Sequence, residues 1–342
     1  MRAIELSASQ VTNYQGSIIC HNIFDPANPK KILIRKGHII DGSEKQIMSH
    51  LGDLKIHLII LEEGDIDEST AAERIARAAA GTGLQLGPIS EGSLRIEATV
   101  RGILRVDIDR LRRVNEIDGV LLWTLHDRTP VEIGQHVASA KIAPLAISEA
   151  SIQEAESQMY DGVIHVAPYQ SKQIGVIVQE SMGLKAREKF EMVLKDKIAW
   201  FGSPEPILVY SASERIKEDL EHIIASRCDL VLIGGTSSLD PLDPAIRAIE
   251  YLGGEIIRRG VPAHPGSTYW LGSLADTPII GVASCGMFSQ RTALDLIMTR
   301  FFAGEQLDNA LIANLGHGGL ITREVTHMFP KYTEYRDIQA EN

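Results

Sequence analysis

The sequence predicts an α/β protein whose C-terminal half is built on a mostly parallel sheet. Between residues 172 and 305, continuous apolar runs alternate with helical patterns. Strands that are covered on both faces of a parallel sheet are apolar in this continuous way. Small-residue loops follow several of these strands, at the edge where ligands bind in such sheets. At 342 residues the chain is long enough for about two to three domains.

The N-terminal half has a different pattern and predicts separate modules. Residues 1–90 mix short strand-like runs with helical segments, and we expect a mixed α+β domain there. Residues 91–150 carry short apolar stretches separated by Gly, Pro and Asp, which predict a small β-rich module. Residues 151–171 are polar and are interpreted as a linker, and residues 306–342 as a C-terminal extension.

The elements of the α/β region follow in a regular order. Helix starts are indicated by Ser213 before Glu214 and by Asp243 before Pro244, and Gly253-Gly254 indicates a helix end. The predicted elements are strand 173–178, helix 184–198, strand 206–210, helix 213–226, strand 229–233, helix 244–252, strands 255–258 and 278–282, and helix 288–302.

The loop after strand 229–233 is the strongest candidate for a binding site. It reads Gly234-Gly235-Thr236-Ser237-Ser238 and leads to a helix start. Backbone N–H groups of a glycine turn can approach a ligand closely, and a helix N-terminus favours an anion such as phosphate. Asp240 and Asp243 would repel a phosphate unless a divalent cation lies between them or they bind a donor-rich part of the ligand.

Three further positions follow strands of the same sheet. Pro265-Gly266 lies in a loop that by itself could equally be an ordinary proline loop, but it should share the carboxyl edge with the glycine turn, which favours a common pocket. Ser284 joins a buried strand to a helix start. Glu180 follows the first strand and could hold a metal, or simply stabilise a helix N-terminus as an acidic residue.

Composition excludes several classes of function. The formal net charge of −11 opposes binding to nucleic acid or to an anionic membrane, and no run of about 18 apolar residues predicts a membrane span. Three scattered cysteines and an N-terminus without a signal-peptide pattern favour a cytoplasmic protein.

Taken together, these motifs resemble the molybdopterin-binding domain. The resemblance rests on the glycine turn with its aspartates, on Gly260-Val261-Pro262, on Pro265-Gly266 and on the segment 280–285. This family includes the molybdenum insertases of the MoeA type and the molybdopterin adenylyltransferases of the MogA type. The resemblance implies a three-layer α/β sandwich, molybdopterin as the ligand, and a role in molybdenum cofactor biosynthesis. Relatives commonly form dimers or trimers, so a homo-oligomer is expected.

The resemblance also implies roles for individual residues. Phosphate and pterin would be held by Gly234, Gly235, Thr236, Ser237, Pro265, Gly266 and Ser284. If the protein is an enzyme, of molybdotransferase or adenylyltransferase type, Mg²⁺ held by Asp240, Asp243 or Glu180 would neutralise phosphate charge, with Asp240 and Asp243 as catalytic residues. Two alternatives stay open: a nucleotide pyrophosphatase of the competence-damage type, and a non-catalytic pterin sensor or carrier.

Overall fold

The chain folds as two compact units. The computed structural model describes residues 1–179, 184–236, 238–283 and 291–332. The first unit contains Met1–Val100, Leu104–Asp127 and Val131–Val166, and the second contains Arg101–Ile103, Arg128–Pro130 and the chain from Ala167 onward. The finer division predicted at residues 90, 150, 171 and 305 stays a prediction.

Up to residue 168 the chain is mixed α/β with several short sheets. The strands are β1 Arg2–Ser7, β2 Ile18–Ile19, β3 Ile23–Asp25, β4 Asn28–Ile34, β5 Lys55–Ile60, β6 Asp65–Asp67, β7 Leu84–Ser90, β8 Ser93–Ala98, β9 Gly102–Val106, β10 Val120–Thr124, β11 Pro130–Val131, β12 His136–Ile142, β13 Ala146–Ser148 and β14 Ile164–Pro168. The helices are α1 Lys45–Leu51, α2 Glu68–Ala79, α3 Ile108–Asn115 and α4 Glu149–Gln158.

Helix α2 organises the core of the first unit. Asp67 caps it by accepting the N–H groups of Ser69 and Thr70, and its small residues spaced three and four apart are buried against the β10-β12-β8-β7 sheet. Helix α4, within the segment expected to be a linker, buries Ile152 and Ala155 in the same core. Helices α2 and α4 are therefore parts of one packed unit.

The second unit is built on a six-stranded sheet. Its order is β16-β15-β17-β20-β19-β18, and β16, β15, β17 and β20 run parallel while β19 is antiparallel to both neighbours. The predicted α/β class with a mostly parallel sheet is confirmed at this level. The elements are β15 Ile174–Val178, α5 Leu184–Trp200, β16 Ile207–Tyr210, α6 Ile216–Ala225, β17 Leu230–Gly234, α7 Pro244–Tyr251, β18 Glu255–Arg259, β19 Trp270–Leu274, β20 Thr277–Val282, α8 Ala293–Phe302 and α9 Asn309–Ala313.

Side chains that alternate along these strands belong to two separate apolar clusters. Val176 and Val178 pack with residues of α5 and α8, whereas Ile177 and Ile233 pack with residues of α6 and α7. This alternation explains why the strands are continuously apolar in sequence. Across the described parts of the chain, every helix is too short or too polar to span a membrane.

A buried ion pair joins α5 to α8. Lys197 Nζ lies 2.9 Å from Asp295 Oδ1, and the two side chains are 3% and 0% exposed. Asp295 also accepts the N–H of Thr292 at 2.9 Å and so completes a capping box at the start of α8. Both oxygens of this buried carboxylate therefore have donors, as a charge in the interior requires.

Candidate functional site

The loops that follow β17 and β18 meet at the carboxyl edge of the parallel strands. The N–H of Ser238, after the glycine turn, donates to the carbonyl of Thr268 at 3.0 Å. Thr268 lies just beyond Pro265-Gly266 in the loop that leads from β18 to β19. The two strands are not neighbours in the sheet, so this contact depends on the loop running back into β19.

The N–H groups of the glycine turn are already used within the protein. Gly235 has a φ of +84°, a conformation that favours glycine, and its N–H donates to the carbonyl of Val282 at 3.0 Å. The N–H of Thr236 donates to the same carbonyl at 3.3 Å. Gly234 is the last residue of β17, and its carbonyl accepts the N–H of Gln179. A phosphate at this edge would therefore need donors other than these two turn amides.

The side chain of Thr236 anchors the glycine turn to the sheet. It is 2% exposed, and its Oγ1 accepts the indole N–H of Trp270 at 3.2 Å. The Trp270 ring covers Gly281 so closely that a Cβ atom at position 281 would overlap the ring. The side chain of Thr236 is thus a packing contact between the turn and the sheet.

Pro265-Gly266 docks on the start of α8. The carbonyl of Pro265 accepts the N–H of Ala293 at 2.9 Å. Gly266 has a φ of +122°, and a Cβ there would lie 2.6 Å from the Cβ of Ala293. Both the backbone conformation and the close approach explain the glycine.

The two aspartates differ in environment. Asp243 is buried and caps α7, with Oδ1 accepting the N–H of Ala245 at 2.9 Å. Asp240 is exposed, and its Oδ1 accepts the N–H of Leu242 at 2.9 Å. Within the described ranges, neither belongs to a group of three His, Cys, Asp or Glu side chains close enough to share an ion. The third predicted metal ligand, Glu180, lies outside those ranges, as do Ser237 and Ser284.

Two buried donors near the ends of β15 and β16 have no hydrogen-bond partner among the residues that the structure describes. They are Gln179 Nε2 and Arg187 Nε. The guanidinium of Arg187 lies over the ring of Tyr210, 3.7 Å from its centroid, and Tyr210 is paired with Val178 in the sheet. Burial, and then the hydrogen bond to Glu191 at 2.9 Å, raise the pKa of Tyr210 to about 12. Buried polar atoms without partners are rare and indicate a ligand or a water.

Sequence reasoning singled out Gln179 only as a neighbour of Glu180, and it missed Arg187 and Tyr210. Tyr210 ends a predicted strand at the ligand edge, which is the one sequence signal it offers. Arg187 lies in a helix rich in charged residues, and nothing in the sequence distinguishes it from the solvated ones. Only the packing of α5 on the sheet identifies it.

A surface depression along α5 does not fit an anion. Four carboxylates and one lysine line it with Met192, Ala199 and Ser203; the charged residues are Glu188, Glu191, Asp196, Glu205 and Lys195. This excess of negative charge would repel a phosphate.

No protein-family model matches the sequence, and no curated protein matches it either. Among solved structures, the chain is similar to the molybdopterin biosynthesis MoeA protein from Pyrococcus horikosii, with 14% identity over 64% of this chain and 74% of that chain and a TM-score of 0.26. It is also similar to the molybdopterin biosynthesis Mog protein from Mycobacterium ulcerans (12% identity, 44% and 96% covered, TM-score 0.27) and to a structure of MogA (14% identity, 44% and 97% covered, TM-score 0.25).

Proposed function

We propose that this protein binds a pterin phosphate of the molybdopterin class at the carboxyl edge of its parallel strands, as a component of molybdenum cofactor biosynthesis. The observation that carries the proposal is a pair of buried donors without hydrogen-bond partners among the described residues: Gln179 Nε2, just after β15, and Arg187 Nε, beside the last residue of β16. The three-layer arrangement of the family is part of the proposal, and the apolar clusters built with α5 and α8 and with α6 and α7 support it.

An acceptor-rich anion suits these donors physically. Leaving a buried donor unsatisfied costs about 1–3 kcal/mol, so a ligand that supplies an acceptor recovers that penalty on binding. The guanidinium of Arg187 is planar and permanently charged, and it is already held in place by the Tyr210 ring. Phosphate oxygens make charge-assisted hydrogen bonds with such a group. Arg187 therefore takes the anion-binding role that the turn amides of Gly235 and Thr236 do not offer in this conformation.

Mg²⁺ and the aspartates form the second part of the proposal. In the turn at Asp240, Oδ1 accepts the N–H of Leu242, and the side chain is exposed to solvent. A hydrated Mg²⁺ could bind at Oδ2 and neutralise the charge of the phosphate. Asp243 is a weaker metal ligand, because its carboxylate is buried at a helix cap. This difference favours a second candidate, a pterin carrier or sensor without catalysis. Homo-oligomeric assembly and a cytoplasmic location complete the proposal.

Changing Arg187 to Gln is expected to weaken molybdopterin binding by about ten- to a hundredfold, the equivalent of a lost hydrogen bond to a charged group. The measurement is a fluorescence titration with the pterin, together with identification of any pterin that copurifies with the wild-type protein. Lys185→Gln, an exposed residue of the same helix, is the matched control and should bind like wild type. Equal affinity in the Arg187→Gln protein would contradict this site.

Changing Asp240 to Asn should remove the Mg²⁺ dependence of pterin binding while leaving the fold intact. Asn keeps the Oδ1 acceptor for the N–H of Leu242, and an exposed loop substitution changes stability by less than about 0.5 kcal/mol. Pterin affinity is measured with and without Mg²⁺ in both proteins, along with release of AMP or pyrophosphate. An unchanged Mg²⁺ response in the variant would show that Asp240 holds no ion.

A further inference from the structure

Three side chains in the first unit bring one nitrogen and two carboxylates together. A ligand atom of His38, one of Asp41 and one of Glu44 all lie within 4.8 Å of one another. We propose that this cluster binds a divalent transition-metal ion, with Zn²⁺ as the best match. The site is independent of the pterin site proposed for the second unit, and neither result depends on the other.

The backbone fixes the position of the histidine. The carbonyl of His38 accepts the N–H of Ile19 at 3.0 Å, and the N–H of Ile40 donates to the carbonyl of Ser17 at 2.9 Å. Ile18 and Ile39 complete this pairing as an antiparallel bridge. His38 therefore belongs to a paired segment rather than to a free loop.

The two acids are placed by the turn that follows. Asp41 Oδ1 accepts the N–H of Ser43 at 2.9 Å, and Gly42 between them has a φ of +96°. Glu44 is the N-cap residue of α1, and its carbonyl accepts the N–H of Met48 at 2.9 Å. The Glu44 side chain does not cap the helix, so its carboxylate is not used by the backbone N–H groups of α1.

The state of the Glu44 carboxylate is the second observation that points to an ion. Glu44 is 1% exposed, and Oε1 has no hydrogen-bond partner within the described parts of the chain. Oε2 accepts a long hydrogen bond, 3.4 Å from the hydroxyl of Ser43, and the Glu44 carboxyl also lies in hydrogen-bonding contact with the carboxyl of Asp41. His38 Nε2 is also buried and has no hydrogen-bond partner among these described residues, and it lies 3.8 Å from Glu44 Oε2. A buried, underpaired carboxylate beside a second one is costly unless a cation compensates both.

The separations suit an ion between the side chains. A distance of 3.8 Å is too long for a hydrogen bond between His38 and Glu44. Ligand atoms that share one zinc ion at about 2.1 Å lie about 3 to 4 Å apart, so small side-chain rotations would close the cluster on an ion. Asp41 is exposed, so water can reach the remaining coordination positions.

The donor set selects the class of metal. An imidazole nitrogen with two carboxylates is typical of zinc and its first-row neighbours, whereas Mg²⁺ and Ca²⁺ prefer all-oxygen sites. The two carboxylates also balance the charge of a divalent ion. Calcium would need about six to eight oxygen ligands, which these residues do not supply.

The test is calorimetric titration of the chelator-treated full chain with Zn²⁺ alone. We expect one tight site in the wild-type protein and at least about tenfold weaker binding in Glu44→Gln and in Asp41→Asn, since even a change outside the first coordination sphere costs that much. Asp41→Asn keeps the acceptor for the Ser43 N–H, so this variant should fold normally. It therefore tests the site even if Glu44→Gln, a change at a buried residue, fails to fold. Asp53→Asn, an exposed acid of the same unit, is the control and should bind like wild type.

Co²⁺ gives a second readout of the same site. Its visible absorption band should appear on titration of the wild-type protein and be lost in His38→Gln, which removes the nitrogen ligand. Zn²⁺ affinity unchanged in both Glu44→Gln and Asp41→Asn would overturn the proposal. Absence of tight Zn²⁺ binding by the wild-type protein would overturn it as well.

Discussion

A Lys197→Met variant is expected to lose about 3–5 kcal/mol of unfolding free energy, the usual cost of removing one partner from a buried ion pair. Lys197 and Asp295 are almost completely buried and are 2.9 Å apart. Without the ammonium, Asp295 would keep a negative charge in the interior, with the Thr292 N–H as its remaining donor among the described residues. Urea unfolding followed by tryptophan fluorescence measures the change, because Trp200 and Trp270 both lie in the second unit.

The ion pair between Lys195 and Glu205 provides the matched control. Lys195 lies on the same helix as Lys197, and the pair has the same 2.9 Å separation, but both side chains are well exposed. Lys195→Met should therefore unfold at nearly the wild-type urea concentration. The double variant Lys197→Met with Asp295→Asn should recover part of the loss, because no charge remains buried. A Lys197→Met protein as stable as Lys195→Met would show that the pair contributes nothing.

Changing Gly281 to Ala is expected to destabilise the second unit by about 3 kcal/mol, at the upper end of the cost of overpacking. A Cβ atom at this position would overlap the ring of Trp270, which is fully buried and cannot move outward. Displacing the ring also breaks its hydrogen bond to Thr236. Pterin binding should weaken together with stability, because Thr236 holds the turn at the ligand edge.

A second glycine, Gly316, is the control that separates the steric overlap at Gly281 from any general destabilisation caused by replacing glycine with alanine. At Gly316 an added Cβ would meet its nearest atoms at 3.6 Å, an ordinary contact, so Gly316→Ala should be near neutral. Adding Trp270→Leu to Gly281→Ala should restore part of the stability but not the turn, because leucine cannot donate to Thr236. Denaturant midpoints and pterin titrations of the four proteins are compared. Equal midpoints for Gly281→Ala and Gly316→Ala would contradict the close packing of the Trp270 ring on Gly281.

The parallel sheet was predictable because its signal is local. Continuous apolar runs mark strands covered on both faces, and Asp243 before Pro244 marks the start of α7, where the cap is found. Strand β19 was missed because Gly272 and Ser273 interrupt its apolar pattern. Its hairpin to β20 turns through Ala275 and Asp276, both at positive φ, without the Asn-Gly or Asp-Gly pair that announces such turns.

The details of the candidate site depend on contacts that a sequence does not display. The turn at Gly235 was recognised, but its N–H pairs with a carbonyl of β20, which is distant in sequence. Arg187 is a candidate ligand-binding residue only because the packing of α5 places its guanidinium over the Tyr210 ring and buries its Nε. Patterns of residue type predict which loops reach the carboxyl edge of the sheet. Which acceptor each hydrogen-bond donor finds there depends on tertiary packing.

The carbonyl of Val282 ends β20, and it accepts the N–H groups of both Gly235 and Thr236. A ligand acceptor that took either N–H would first have to break this contact, at about 0.5–1.5 kcal/mol for each hydrogen bond. Breaking it would also release the end of β20, from which the chain continues toward α8. Occupancy of the turn and the contact of the turn with the end of β20 would then be thermodynamically linked, and the linkage would be equal in both directions.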